Sequence, residues 1–230
     1  MKVSNNQSGN MALVAIAVVA GLVIGFAGAK VMDHNKKTTT TTASSTSTGV
    51  TPSERKLSDD LVTLGVEHMI LTDQAVNAAL DGSKNADAVG KALYSNGTDI
   101  GAAVGSVYGA AAQTQFNTLW KLHLDQFVAY AVADSKGDAA GKAAALSTIQ
   151  TGYTVPLATF LAGATKLPEK TLQDDLAGHV AMTATMIDDH VAGNYTDETA
   201  ELNMANQHIE AIFSTLATGI AGANPTKFAN

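Results

Sequence analysis

Four of the six histidines in this 230-residue chain stand on apolar helical stripes, in "VEHMILT", "LWKLHLDQF", "LAGHVAMT" and "NQHIEAIF". Neutral imidazole suits zinc, copper, nickel and iron, and a layer of imidazoles between helices can hold such an ion. His68, His123, His179 and His208 are therefore the candidate ligands, with zinc or copper as the candidate metals. A metal-bound imidazole also needs a partner that fixes its second nitrogen. Thr72 and Thr183 lie one turn beyond His68 and His179 on the same helical faces, where they could serve. Packing is the competing account, because a histidine on an apolar face is commonly a hydrogen-bonded core residue. Gln126, Asn206 and Gln207 offer local partners for that role. A core that responds to pH is the third account. His190 follows Asp188 and Asp189 near a helix C-terminus, where the helix dipole explains it. His34 lies beside Asp33 and has no assigned role.

The elements that must position these residues are helices. "TPSE" at 51–54 is a capping box with proline at the first helical position. Leu57, Leu61, Leu64, His68, Leu71 and Ala75 then step by three and four, which predicts a helix to about Leu80. "DGSKN" breaks it, a short helix covers 86–94, and "SNGTDIG" reads as a second breaker. Gly101, Gly105 and Gly109 follow at intervals of four; without a preceding strand they suit close helix packing rather than a dinucleotide site. A long helix from about 110 to 133 turns Phe116, Leu119, Trp120, His123, Phe127 and Tyr130 inward. Asp138 caps the Ala-rich stretch after "SKGD", which Pro156 must kink or divide. "LPEK" opens a helix carrying Leu172, Leu176, His179, Thr183 and Met186. The last helix runs to about Gly219 through Ala205, His208, Ile212 and Leu216, with Thr196 as its cap. No segment alternates at period two, so the expectation is all-α with no sheet.

A weak repeat links "EHMILT" to "GHVAMT" and "HLDQF" to "HIEAI". It suggests a four-helix-bundle core over 52–220, made from two pseudo-repeated helical hairpins and followed by a tail at 221–230. Counting residues from the helix ends places the four histidines roughly 18, 20, 20 and 17 Å from one end of an antiparallel bundle. They would then share a layer.

Ahead of this body, "MALVAIAVVAGLVIGFAGA" at 11–29 carries no charge over 19 residues, about 28 Å as a helix and enough for a transmembrane anchor. "AGA" at 27–29 leaves a cleaved signal peptide as the rival. Residues 30–51 form a Thr/Ser-rich linker that cannot pack a core. Lys30, Lys36 and Lys37 favour a cytoplasmic C-terminal side. The uncharged tract is instead typical of an outer stalk, and an extracytoplasmic body is the expectation. The chain contains no cysteine, which removes disulfides, thiolate metal sites and thiol catalysis together. The net charge is −7, and only four of the 14 Lys and Arg precede residue 53. An acidic body repels phosphate backbones, so the expected partners are the membrane and a second copy or another protein, not nucleic acid.

Catalytic signatures are lacking. No Glu-x-x-His pair of the di-iron bundles occurs, nor a phosphate loop, nor a nucleophile elbow. The segments "NGTDIG", "YGAAA", "LWKLH", "KGD", "ATFLAGA" and "LAGHVAMT" resemble an uncharacterised family of bacterial all-helical proteins across most of 60–220. The resemblance implies the helical fold and weight at the His positions, but no activity. The sequence therefore points to a membrane-anchored binding or structural module with a transition-metal site. A purely structural or adhesive surface protein, and a metal-dependent redox or storage protein, stand as alternatives.

Overall fold

The capping box forms as its residues require. The Thr51 hydroxyl accepts from the Glu54 amide at 3.2 Å, and the Thr51 amide donates to the Glu54 carboxylate at 2.7 Å. From this start α1 runs Pro52–Leu80. The computed structural model describes residues 50–230; the apolar stretch at 11–29 and the Thr/Ser tract as far as residue 49 lie outside the described residues. Within them every regular element is helical: α2 (Ala86–Tyr108), α3 (Ala110–Asp134), α4 (Ala139–Ile149), α5 (Val155–Thr165), α6 (Glu169–Ala192) and α7 (Tyr195–Ala223). No described helix is long and apolar enough to cross a membrane.

One breaker acts differently from the expectation. Asn96 and Gly97 do not end a short helix; α2 continues through them to Tyr108. Asn96 is buried, and its side-chain amide donates to the Leu64 carbonyl at 3.0 Å and to Glu67 at 3.1 Å. Gly97 lets Trp120 press onto the α2 backbone: a Cβ there would lie 2.5 Å from the indole. Gly101 and Gly105 similarly admit Asn117 and Gln113, so the glycine row is the contact line between α2 and α3. Its members are 97, 101 and 105. Gly109, at φ +88°, is instead the hinge between the two helices. Pro156 divides the Ala-rich stretch as expected, standing in the first turn of α5. A π turn at Gln150–Thr154 joins α4 to α5, absorbing the missing proline donor so that the rod continues.

Counting α4, the π turn and α5 as one rod, six rods follow one another through short connections, where four long helices were expected. Each packs on the next, and α7 closes against α1. Short connections make consecutive rods antiparallel, which leaves α1, α3 and α6 pointing the same way. These three also touch across the middle. The residues after α7 are not a loose tail. Phe228 is buried, its carbonyl accepts from the Thr51 hydroxyl at 2.7 Å, and the Asn230 carbonyl accepts from the Ser53 hydroxyl at 2.7 Å.

Candidate metal centre

The centre forms where α1, α3 and α6 meet. His68 extends the stripe of Leu57 and Leu61, His123 follows Trp120 by one turn, and His179 follows Leu176. All three are buried, with exposures of 1%, 0% and 1%. One nitrogen from each lies within 4.8 Å of the other two. An ion at the centre of the triangle of three such nitrogens would sit about 2.8 Å or less from each, against the ~2.0–2.1 Å of a zinc–imidazole bond. Each ring therefore has to advance by less than about 1 Å, a small side-chain adjustment.

Five of the six ring nitrogens have no hydrogen-bond partner among the described residues. His68 Nδ1 and both nitrogens of His123 and of His179 are buried and make no hydrogen bond. A buried polar atom left unpaired costs about 1–3 kcal/mol. The rings do pack well. His123 stacks on Tyr153 at 4.2 Å between centroids, and Trp120 meets it edge-on at 4.7 Å. His68 lies 4.9 Å from Trp120 and 5.6 Å from His123. Such contacts hold the rings without satisfying an N–H or a lone pair.

Burial also fixes their charge state. It pushes His68 down to about 3, helped by His179. His179 is held at about 4 by burial and by His208. His123 falls well below the usual imidazole range through burial, then through His68 and His179. The Trp120 backbone opposes this slightly, without reaching hydrogen-bond geometry to either ring nitrogen. At neutral pH all three are uncharged, the form that coordinates a cation.

His208 does not join them. Its Nε2 donates to the Asp175 carbonyl at 2.9 Å, and the ring is half-buried on the flank of α6. Gly178 makes the notch: a Cβ there would lie 3.1 Å from His208 Nε2. The reason is angular. The buried stripe of α7 is Ala205, Ile209, Ile212 and Leu216, so Ile209 takes the inward place and His208 stands about 100° round the helix. Thr72 and Thr183 lie one turn beyond their histidines, as expected, but do not bond the rings. Their hydroxyls donate to the backbone carbonyls of His68 (2.8 Å) and His179 (3.0 Å), so they brace the helices and not the rings.

Two features were missed in the sequence. Tyr153 became visible as a wall of the site only through the π turn, which no periodicity signals. The second is a cavity of about 280 Å³ that reaches the three histidines from between α1, α2 and α3. Its only sequence trace is the run of small residues that leave the space, Ala75, Ala79, Gly90 and Ala131.

In comparisons with known proteins, no family model, curated protein or solved structure matches the chain. The reading of the centre rests on its own geometry.

His190 has more than the helix dipole. Its Nδ1 lies 3.1 Å from the buried Glu198 carboxylate and its Nε2 lies 3.2 Å from Asp81. The Asn77 side chain donates to the same Glu198 at 2.7 Å. This group closes the bundle end where α1 and α6 finish and α7 begins.

Proposed function

We propose that this protein binds one transition-metal ion, zinc or copper, through His68, His123 and His179. The observation that carries this reading is the set of orphaned nitrogens on three neutral imidazoles within coordinating reach of one another. A core evolved only for packing gains nothing from them, since leucine buries more apolar area and leaves no unpaired atom. Three protein ligands leave a fourth position, as in metal sites that take up a further ligand. One enclosed ion suits a bound cofactor rather than a metal store. The charge-free span at 11–29 and the tract behind it support an anchored, extracytoplasmic placement.

Titrating the full chain with Zn²⁺ or Cu²⁺ tests the reading. The expected result is saturation near one ion per chain and a higher melting temperature with metal. An ion bound only by the native state adds RT ln(1 + [L]/Kd), about 2.7 kcal/mol at 100 Kd. Identical melting with and without metal refutes the site. For the placement, protease added to intact cells should cut within residues 38–51 and release the body. A body protected until lysis refutes it.

A further inference from the structure

The cavity that ends on the three histidines runs out to the bundle end where Leu80, Ala86 and Ser135 lie. Its walls are apolar, with Val76, Leu93, Leu124 and Phe127 among them. The lip is apolar as well: Val128 and Val132 line the cavity and are 58% and 45% exposed. A cavity of about 150 Å³ holds benzene. A volume of about 280 Å³ accordingly takes roughly a dozen non-hydrogen atoms.

The polar groups along it are already committed. The Tyr94 hydroxyl donates to Asp125 at 2.6 Å, and the Thr72 and Thr183 hydroxyls are given to backbone carbonyls. A ligand rich in hydroxyls or charges would leave them unpaired against these walls. The floor has the opposite need. Neutral imidazoles leave the whole charge of a bound cation uncompensated, and among the described residues no carboxylate acts on any of the three rings. A buried charge without a counter-charge is expensive. The missing ligand is therefore an anion at one end and a hydrocarbon for the rest of its length.

We propose that the cavity binds a small monocarboxylate with an apolar tail, its carboxylate completing the coordination of the ion on His68, His123 and His179. The tail lies between α1, α2 and α3 and reaches the valine lip. This rests on the metal reading above and adds the class of the fourth ligand.

The test uses the full chain loaded with Co²⁺, whose visible absorption reports its coordination, and phenylbutanoate as the probe. Acetate supplies the head without the tail, and phenylbutanol the tail without the charge. Phenylbutanoate is expected to shift the cobalt spectrum saturably, at concentrations at least tenfold below those that acetate or phenylbutanol require. Gly90→Phe is directed into the cavity from its wall, where an added Cβ meets no atom within 4 Å. That variant should keep its cobalt band and lose phenylbutanoate affinity at least tenfold. Ala79→Phe, at an exposed position of the lining, gives the same readout independently. A cobalt band unmoved by phenylbutanoate overturns this proposal and leaves the metal site standing. Equal potency of acetate or phenylbutanol overturns it, as does undiminished binding in folded Gly90→Phe and Ala79→Phe. A chain that takes up no cobalt overturns the metal reading and this one with it, and the absent band tells the two failures apart.

Discussion

His123 and His190 are both buried, at 0% and 7% exposure, yet their nitrogens are treated in opposite ways. His190 is tied on both sides, by Glu198 at 3.1 Å and Asp81 at 3.2 Å, and it joins the end of α6 to its neighbours. His123 lies among aromatic faces with neither nitrogen bonded. The carboxylates gather at the bundle end, where burial and Glu198 also raise the pKa of Asp73. In the middle, among the described residues, the titratable neighbours acting on the three rings are other histidines. Burial of a histidine is thus no mark of function. The mark is convergence: other buried atoms also lack a partner, Trp120 Nε1 and Thr154 Oγ1 among them, but only on His68, His123 and His179, among the described residues, do such nitrogens lie within coordinating reach of one another.

The largest effect that separates the two regions is the metal response. His123→Leu should abolish the metal-dependent rise in melting temperature and weaken Zn²⁺ binding at least about 100-fold, a change of order 2.7 kcal/mol. Without metal it should melt no lower than the parent, because it removes two unpaired nitrogens and keeps most of the volume. Paired melts with and without Zn²⁺ check both halves. A variant that keeps its metal shift breaks the comparison.

Acid should find the same three rings. The folded pKa values of His68 and His179 lie at about 3 and about 4, below the ~6.5 of an unfolded histidine. The unfolded chain therefore binds protons first. The stability contributed by the neutral rings is complete above pH ~6.5 and declines as pH falls toward the folded values. By pH 5 the loss should be at most about 2 kcal/mol for His68 and for His179. Urea melts at pH 7 and pH 5 read it directly, and replacing all three histidines with leucine should flatten the difference.

His190→Gln is the reciprocal test. It removes the imidazole that ties buried Glu198 to exposed Asp81 and leaves Glu198 with its bond from Asn77, and should cost about 1–2 kcal/mol by the same amount with and without metal. A metal-dependent cost would mean that the two regions are coupled. The smallest effect belongs to His208→Ala, which removes one hydrogen bond to the Asp175 carbonyl. About 1 kcal/mol is expected, with Zn²⁺ affinity unchanged.

The residues that made the fold legible are those where a local rule and the tertiary environment agree. Thr51, Pro52 and Glu54 start α1 by backbone chemistry alone, and the steps of three and four along α1, α3 and α6 aim His68, His123 and His179 inward without help. On α7 the pattern was ambiguous. Ala205, His208 and Ile212 step as acceptably as Ala205, Ile209 and Ile212, and only packing against α6 decides between them. At Asn96 and Gly97 a local rule was overruled, since hydrogen bonds to α1 and the press of Trp120 offset their poor helix propensity. The cavity was beyond reach from sequence, because empty space between three helices has no residue of its own to announce it.

The bond from the Thr51 hydroxyl to the Phe228 carbonyl, with Ser53 holding Asn230, has a consequence for how the chain is threaded. Because α7 packs on α1 where these ends meet, each rod among the described residues has a neighbour on either side. The order of the rods around the bundle is then independent of where the polypeptide is cut. A circular permutant that links Asn230 to Val50 and opens at Gly193, an exposed turn, gives every helix the partners it has now. Connectivity is a convenience of this architecture; adjacency is what it preserves.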